Sequence, residues 1–118
     1  MSNYKTIAVQ QHVDITLVHF TDAKMLDHEQ IVGVRSELLD LANDRKPKKV
    51  VINFGGITFC SSELISALML FWKRIASDGG QIRLAGMNDN IREVFIITRL
   101  DGTVFEIFPT ANDAMQDF

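Results

Sequence analysis

The chain is poor in the residues that usually announce a chemistry. It holds one cysteine, Cys60, and three histidines, His12, His19 and His28. A single cysteine excludes an internal disulfide and a thiolate zinc site, and it fits a reducing compartment. The histidines lack metal-ligand spacing: His19 falls in a strand, His12 in a turn and His28 in the first turn of a helix. Neither G-x-x-x-x-G-K-[ST] nor G-x-G-x-x-G occurs. No metal or cofactor is therefore expected. An excess of cations is missing as well, since the net charge is −3 at pH 7, which argues against a nucleic-acid partner. The cluster Arg45, Lys46, Lys48 and Lys49 reads as a solvated loop. No apolar run approaches the ~18 to 20 residues of a membrane span. The first residues lack the apolar stretch of a secretory signal. These absences lead to the expectation of a soluble cytoplasmic protein that is not embedded in a membrane.

What is present is an ordinary folding composition. Hydrophobic residues make up 47% and charged residues 23% of the chain, so disorder is not expected. The length suits one domain over residues 1–118, large enough to bury roughly two-thirds of its unfolded surface.

The hydrophobic pattern alternates between strand and helix. Residues 6–10, with Ile7 and Val9, and residues 15–20, with Ile15, Leu17, Val18 and Phe20, read as two strands joined by a turn at 11–14, most simply an antiparallel hairpin. Asp27 reads as an N-cap with Gln30 as capping-box partner, and Leu26 and Ile31 as a hydrophobic staple. Ile31, Val34, Leu38 and Leu41 then form one stripe of a helix expected to end near Asn43, before Pro47. Residues 49–54 are a strand whose Val50-Val51-Ile52 run shows no polar alternation, as in a strand covered on both faces. Leu64, Leu68, Phe71 and Ile75 mark a helix over 62–77, stopped by Asp78-Gly79-Gly80. A strand at 81–85 follows. Asn90 with Glu93 reads as a second capping box, opening a helix through Ile91, Val94, Phe95 and Thr98. A turn at 101–102, a strand at 103–108 and a short helix capped by Thr110 with Asp113 complete the chain. The order ββαβαβαβα predicts a single α/β domain with a mainly parallel, mixed five-stranded sheet and four helices.

One stretch stands out, from Val50 through Gly55-Gly56 to Ser61-Ser62-Glu63. It is a buried strand, a glycine break, a short loop and a helix start carrying two hydroxyls. The free N–H groups of a helix's first turn, and its dipole, favour negative charge. Function in parallel sheets tends to lie beyond the C-terminal strand ends, where this loop falls. One serine is accounted for as the N-cap. Cys60 near a helix start could have a lowered pKa, but a phosphatase-type loop would need an arginine where Ser66 stands. Five consecutive large apolar residues, Leu68, Met69, Leu70, Phe71 and Trp72, cannot all turn inward from one helix. Either both faces are buried or part of the helix is an interaction surface.

The Val-Val-Ile strand, the loop Phe59-Cys60-Ser61-Ser62, the helix opening Leu64-Ile65, the strand Gln81-Ile82-Arg83-Leu84-Ala85-Gly86, the run Asn90-Ile91-Arg92-Glu93-Val94 and Leu100-Asp101 together resemble the STAS domain family. That family comprises the bacterial anti-sigma factor antagonists and related modules. The resemblance implies that Ser61, with Ser62 as second choice, is phosphorylated by a partner that is both anti-sigma factor and serine kinase. It further implies that a serine phosphatase resets the switch and that the domain is not itself an enzyme. The family loop typically reads Asp-Ser-Ser/Thr-Gly-Leu, so Cys60 replaces an acid and Glu63 a glycine. Glu63 would repel a phosphate on Ser61 and could serve as a built-in negative charge. The partner surface implied is Thr58, Cys60, Ser61, Ser62 and Glu63 together with Ile65, Met69 and Trp72 on the following helix. Two other readings stay open. One is an unphosphorylated docking subunit of a transport complex or stress-signalling scaffold; the other is an enzyme using Cys60 or a bound nucleotide. Oligomeric state and partner identity are left open.

Overall fold

The computed structural model describes residues 4–22, 24, 25, 27–100, 102 and 104–118. Chain order is β1 (Ile7–His12), β2 (Ile15–Phe20), β3 (Lys24–Met25), α1 (His28–Arg45), β4 (Lys49–Asn53), β5 (Phe59–Cys60), α2 (Ser62–Ser77), β6 (Gln81–Ala85), α3 (Asp89–Ile97), β7 (Glu106–Phe108) and α4 (Ala111–Met115). The main sheet has five strands in the order β1-β2-β4-β6-β7. The β1–β2 pair is antiparallel and the other pairings are parallel. This is the mixed sheet that strand–helix alternation after an initial hairpin implies.

Side-chain alternation along the central strands divides the core. Val50 and Ile52 of β4 join the large cluster with Leu38 and Leu41 of α1, Leu64, Leu68 and Phe71 of α2, and Ile91 and Phe95 of α3. Val51 between them turns to the other face, where it packs with Leu17, Ala85 and Ala114 of α4. The unbroken Val-Val-Ile run is therefore covered on both sides, as its lack of polar alternation implies. The expected stripe of α2 is wholly buried: Leu64, Leu68, Phe71 and Ile75 are at most 1% exposed. Each such side chain contributes about 1.5–3 kcal/mol relative to leaving it in water. The apolar run at 68–72 resolves mostly into burial, because α2 is packed by α1 as well as by the sheet. Leu68 and Phe71 are buried, Met69 and Trp72 half-buried, and Leu70 is exposed.

Several boundaries move. The β1–β2 turn is tighter than expected, with His12 paired to Ile15 across Val13-Asp14. Val13 takes the left-handed conformation that such a two-residue turn demands. Helix α1 runs two residues past Asn43 and ends on a left-handed Lys46, the residue before Pro47, which cannot continue a helix. Asp27 caps α1 through Glu29 N, but Gln30 does not close a capping box. Its amide donates to Asp22 Oδ2 at 2.5 Å, a charge-assisted bond stronger than one to a backbone group. The proposed staple involves Leu26, which lies outside the described residues, as do Asp101 of the expected turn and Thr103 of the expected last strand. That strand is short, Glu106–Phe108. A second, two-stranded sheet pairs β3 with β5; two-residue strands carry no periodicity from which to infer them.

Helix α3 starts at Asp89, with Asn88 and not Asn90 as its N-cap. Asn88 Oδ1 accepts from Ile91 N at 2.8 Å. Its amide also reaches the Thr58 carbonyl at 3.4 Å, so the cap is chosen partly by a contact 30 residues away. The expected box at Asn90 and Glu93 is displaced accordingly, and Asn90 lies in the first turn.

Candidate functional site

Strand β4 delivers the chain to the C-terminal edge of the sheet, and the loop 54–61 is built there. Phe54 anchors its base in an edge-to-face row, 5.3 Å from Phe20 and 6.2 Å from Phe95, with Phe95 in turn 6.1 Å from Phe105. Asn53 Oδ1 accepts from Gly55 N at 2.9 Å. Gly86, at φ +74°, lets that turn approach: a Cβ there would lie 2.5 Å from Asn53 Oδ1. Gly56, at φ +90°, makes the reversal, and Ile57 is buried beneath it. The chain then forms β5, held by β3, and reaches Ser61.

Ser61 is the N-cap of α2. Its backbone is extended (φ −88°, ψ 163°), and its Oγ accepts from Leu64 N at 3.4 Å. This is a long bond, and the residue is half-buried. Ser62 is the first helical residue and is exposed; its carbonyl accepts from Ser66 Oγ at 3.3 Å. Both hydroxyls therefore stand at the positive end of a sixteen-residue helix, where unpaired N–H groups favour an anion.

Glu63 reaches across to the first turn of α1, with its Oε2 2.5 Å from His28 Nδ1. A carboxylate accepts and does not donate, so the imidazole supplies the proton. The side chains are 74% and 47% exposed, a setting in which a pair contributes little stability. Its consequence is local: the carboxylate that departs from the expected glycine is drawn toward His28.

Cys60 is half-buried, and burial pushes its thiol up to about 11. The shift is opposite to the one an activated nucleophile needs, so the group is a neutral thiol at physiological pH. Thr58 is exposed. Ile65 is buried and lines a cavity beside α3. Met69 is half-buried against the core. Trp72 stands about 15 Å along the helix from Ser62 and borders a different, polar hollow with Gln81, Arg83 and Glu106. The residues from 58 to 65 thus cluster at one end, and Trp72 lies apart from them. Among the described residues no group of three or more His, Cys, Asp or Glu side chains could hold a metal ion, and no helix is long and apolar enough to cross a membrane. Sequence reasoning missed His28 as a neighbour of this site, and it missed the part that α3 plays in it.

A family model described as the STAS domain matches residues 6–114. The chain belongs to the STAS domain family. Among solved structures it is similar to an anti-sigma factor antagonist STAS protein from Planctomyces limnophilus, at 27% identity and TM-score 0.80, with 92% of each chain covered. It is similar to an anti-sigma factor antagonist from Mycobacterium paratuberculosis at 20% identity and TM-score 0.78, covering 93% of this chain and 90% of that one. The Bacillus cell-fate determinant SpoIIAA in its phosphorylated form matches at 14% identity and TM-score 0.71, covering 92% of this chain and 96% of that one. The last two likenesses establish the STAS fold alone. A comparison with curated proteins finds no match.

Proposed function

We propose that this STAS domain is an anti-sigma factor antagonist-like regulator. Its binding to an anti-sigma factor with serine-kinase activity is switched by phosphorylation of Ser61, with Ser62 as the second candidate, and a serine phosphatase reverses the switch. The unit over residues 1–118 acts as one domain in the cytoplasm, without catalysis of its own. One observation carries this reading: Ser61 is the N-cap of α2 at the C-terminal edge of the sheet, with its hydroxyl accepting a long 3.4 Å bond from Leu64 N. A phosphate there would add about −1.5 to −2 charges where the helix dipole accepts them, while opposing any interface that had accepted the bare hydroxyl. SpoIIAA, which shares the fold, is a protein whose phosphorylated form is known.

Glu63 bears on how the switch works. Alone it would repel a phosphate on Ser61. Its carboxylate is held in a hydrogen bond to His28 of α1, which gives it a partner other than the Ser61 position. The neutral Cys60 thiol favours binding over nucleophilic chemistry.

The test is the affinity of a purified serine-kinase anti-sigma factor from the same host for the unmodified protein and for Ser61→Asp. The expected result is a loss of at least about tenfold in Ser61→Asp, equivalent to roughly 1.4 kcal/mol. Equal binding would favour a second reading, a constitutive STAS docking subunit of a transport complex or stress-signalling scaffold. The cap already engaged by Ser61 is the observation that keeps that reading in view.

A further inference from the structure

Beneath the switch loop one side-chain amide touches three parts of the chain. Asn53, the last residue of β4, stands beside His19 of β2 in the parallel register. Both follow Leu17 and Val51 on the face that α4 covers, and both are half-buried. Asn53 Oδ1 accepts from Gly55 N at 2.9 Å, and Gly86 passes so close that a Cβ there would lie 2.5 Å from the same oxygen. The two ends of an amide are told apart by their hydrogen bonds, and here those bonds assign them. The oxygen faces the Gly55 N–H, so the amide nitrogen faces His19, with Nδ2 3.4 Å from His19 Nδ1. An amide NH₂ only donates. His19 Nδ1 therefore accepts, and the ring proton sits on Nε2 of a neutral imidazole.

Protonation would reverse this contact. An imidazolium donates from both nitrogens, so Nδ1–H would confront the Asn53 amide hydrogens. Turning the amide over offers no relief, because its hydrogens would then confront the Gly55 N–H. Among the described residues, no charged side chain stands in register with His19. Across from it is Ala8 of β1, with Gln10 diagonal to it, and Leu17 and Thr21 lie two residues to either side. Arg83 is on the same face but two strands from β2, with its guanidinium on the carbonyls of Ala114, Gln116 and Asp117. On α4, Ala111, Ala114 and Met115 pack on the sheet, and Asp113 is exposed. Lys5 and Asp22, at the open end of the hairpin, are exposed, and Lys49 at the far end of β4 is paired with Asp14.

We infer that His19 is a proton-operated positioning residue for the base of the switch loop: neutral, it completes the Asn53 contact that holds the Gly55 turn, and protonated, it releases that turn. Histidine is the side chain whose charge changes between pH 5 and 8, so a fall in pH through that range is the signal. The inference deepens the antagonist reading by giving the same loop an input besides Ser61. It rests on that reading for what the loop does, while the latch itself is measured on the unmodified protein alone.

The experiment is a magnetic-resonance titration of the full chain between pH 8 and pH 5, the range in which histidine changes charge. It follows the His19 ring, the Asn53 side-chain amide and the backbone amides of Ala8 and Gly55. Ala8, across from His19 but outside the latch, reports the charge alone. The Asn53 and Gly55 resonances are expected to move with the His19 midpoint, and further than that of Ala8. His19→Gln, whose carbonyl accepts from Asn53 at every pH, should hold Gly55 still. His28→Gln, which removes the histidine beside Glu63, should leave the response intact. Asn53→Asp replaces the donor with a second acceptor, so it should raise the His19 midpoint by about one pH unit or more. A Gly55 amide that moves no further than Ala8 while His19 titrates, a response that survives in His19→Gln or vanishes in His28→Gln, or an unchanged midpoint in Asn53→Asp would overturn the inference. None of these readouts involves a phosphate or a partner, so failure of the Ser61 switch leaves them readable.

Discussion

The two ends of α2 are built differently. At its C-terminal end the helix is tied down from several directions. Arg74 Nε donates to Asn43 Oδ1 at 2.8 Å, the Lys48 ammonium donates to the Asp78 carbonyl, and Gly80 N returns to the Ile75 carbonyl at 2.9 Å. At its N-terminal end Leu64 and Ile65 are buried in the core, while the polar side of the first turn is met by one long hydroxyl cap, a solvent-exposed contact from Glu63 to His28 of α1 and an open apolar hollow. Both ends belong to the same helix, whose Leu64-Leu68-Phe71-Ile75 stripe is buried. The difference teaches where this domain can change state: a modification at Ser61 alters weak contacts, whereas one at the other end would break the packing that defines the fold.

Substitutions that equalise the ends should break this contrast in order of size. Gly80→Ala would set a Cβ 2.6 Å from Ile75 Cγ2 and 3.0 Å from the Pro47 carbonyl. It should destabilise by about 1–3 kcal/mol in chemical denaturation. Ser61→Ala should cost about 1 kcal/mol, the usual loss of a cap. Ser61→Asp should restore that stability, because aspartate caps as well as serine does. Recovery of stability together with loss of partner binding would separate the structural role of this position from its signalling role.

Cys60 provides a pH-dependent contrast. With the folded thiol pushed up to about 11 from an ordinary value near 9, the unfolded chain releases this proton first. Its contribution is fully present below pH 9 and is lost as pH rises toward 11. Cys60→Ala should therefore flatten the fall in stability across that window and leave the shape of the curve below it unchanged. The smallest effect is expected at the exposed contact between Glu63 and His28. Glu63→Gln should change stability by no more than about 0.5 kcal/mol, and less at high salt. A larger change would mean that the N-terminal end is held more firmly than its geometry indicates.

Much of the architecture was legible because it rests on period. The Leu64-Leu68-Phe71-Ile75 stripe placed α2 at its observed bounds, and Thr110 caps α4 through Asp113 N at 3.1 Å as its spacing indicated. Failures occurred where two local solutions were equally good and a distant contact chose between them. Asn88 and Asn90 both suit a cap, and the Thr58 carbonyl favoured Asn88. Gln30 had a backbone donor close by and a carboxylate at Asp22, and it took the carboxylate. The candidate site divides in the same way. A serine cap at Ser61-Ser62 could be read from the chain, and the structure assigns it to Ser61, but the approach of His28 to Glu63 and the hollow under Val94 arise from packing between elements that are distant in sequence.

The central claim is that Ser61 carries a reversible phosphate. Its most direct test is the intact mass of the protein isolated from its own host, before and after phosphatase treatment, beside Ser61→Ala. The account predicts a species heavier by about 80 Da, one phosphate, that phosphatase removes and Ser61→Ala never shows. Its absence across growth and stress conditions, or its persistence in Ser61→Ala, would contradict the account.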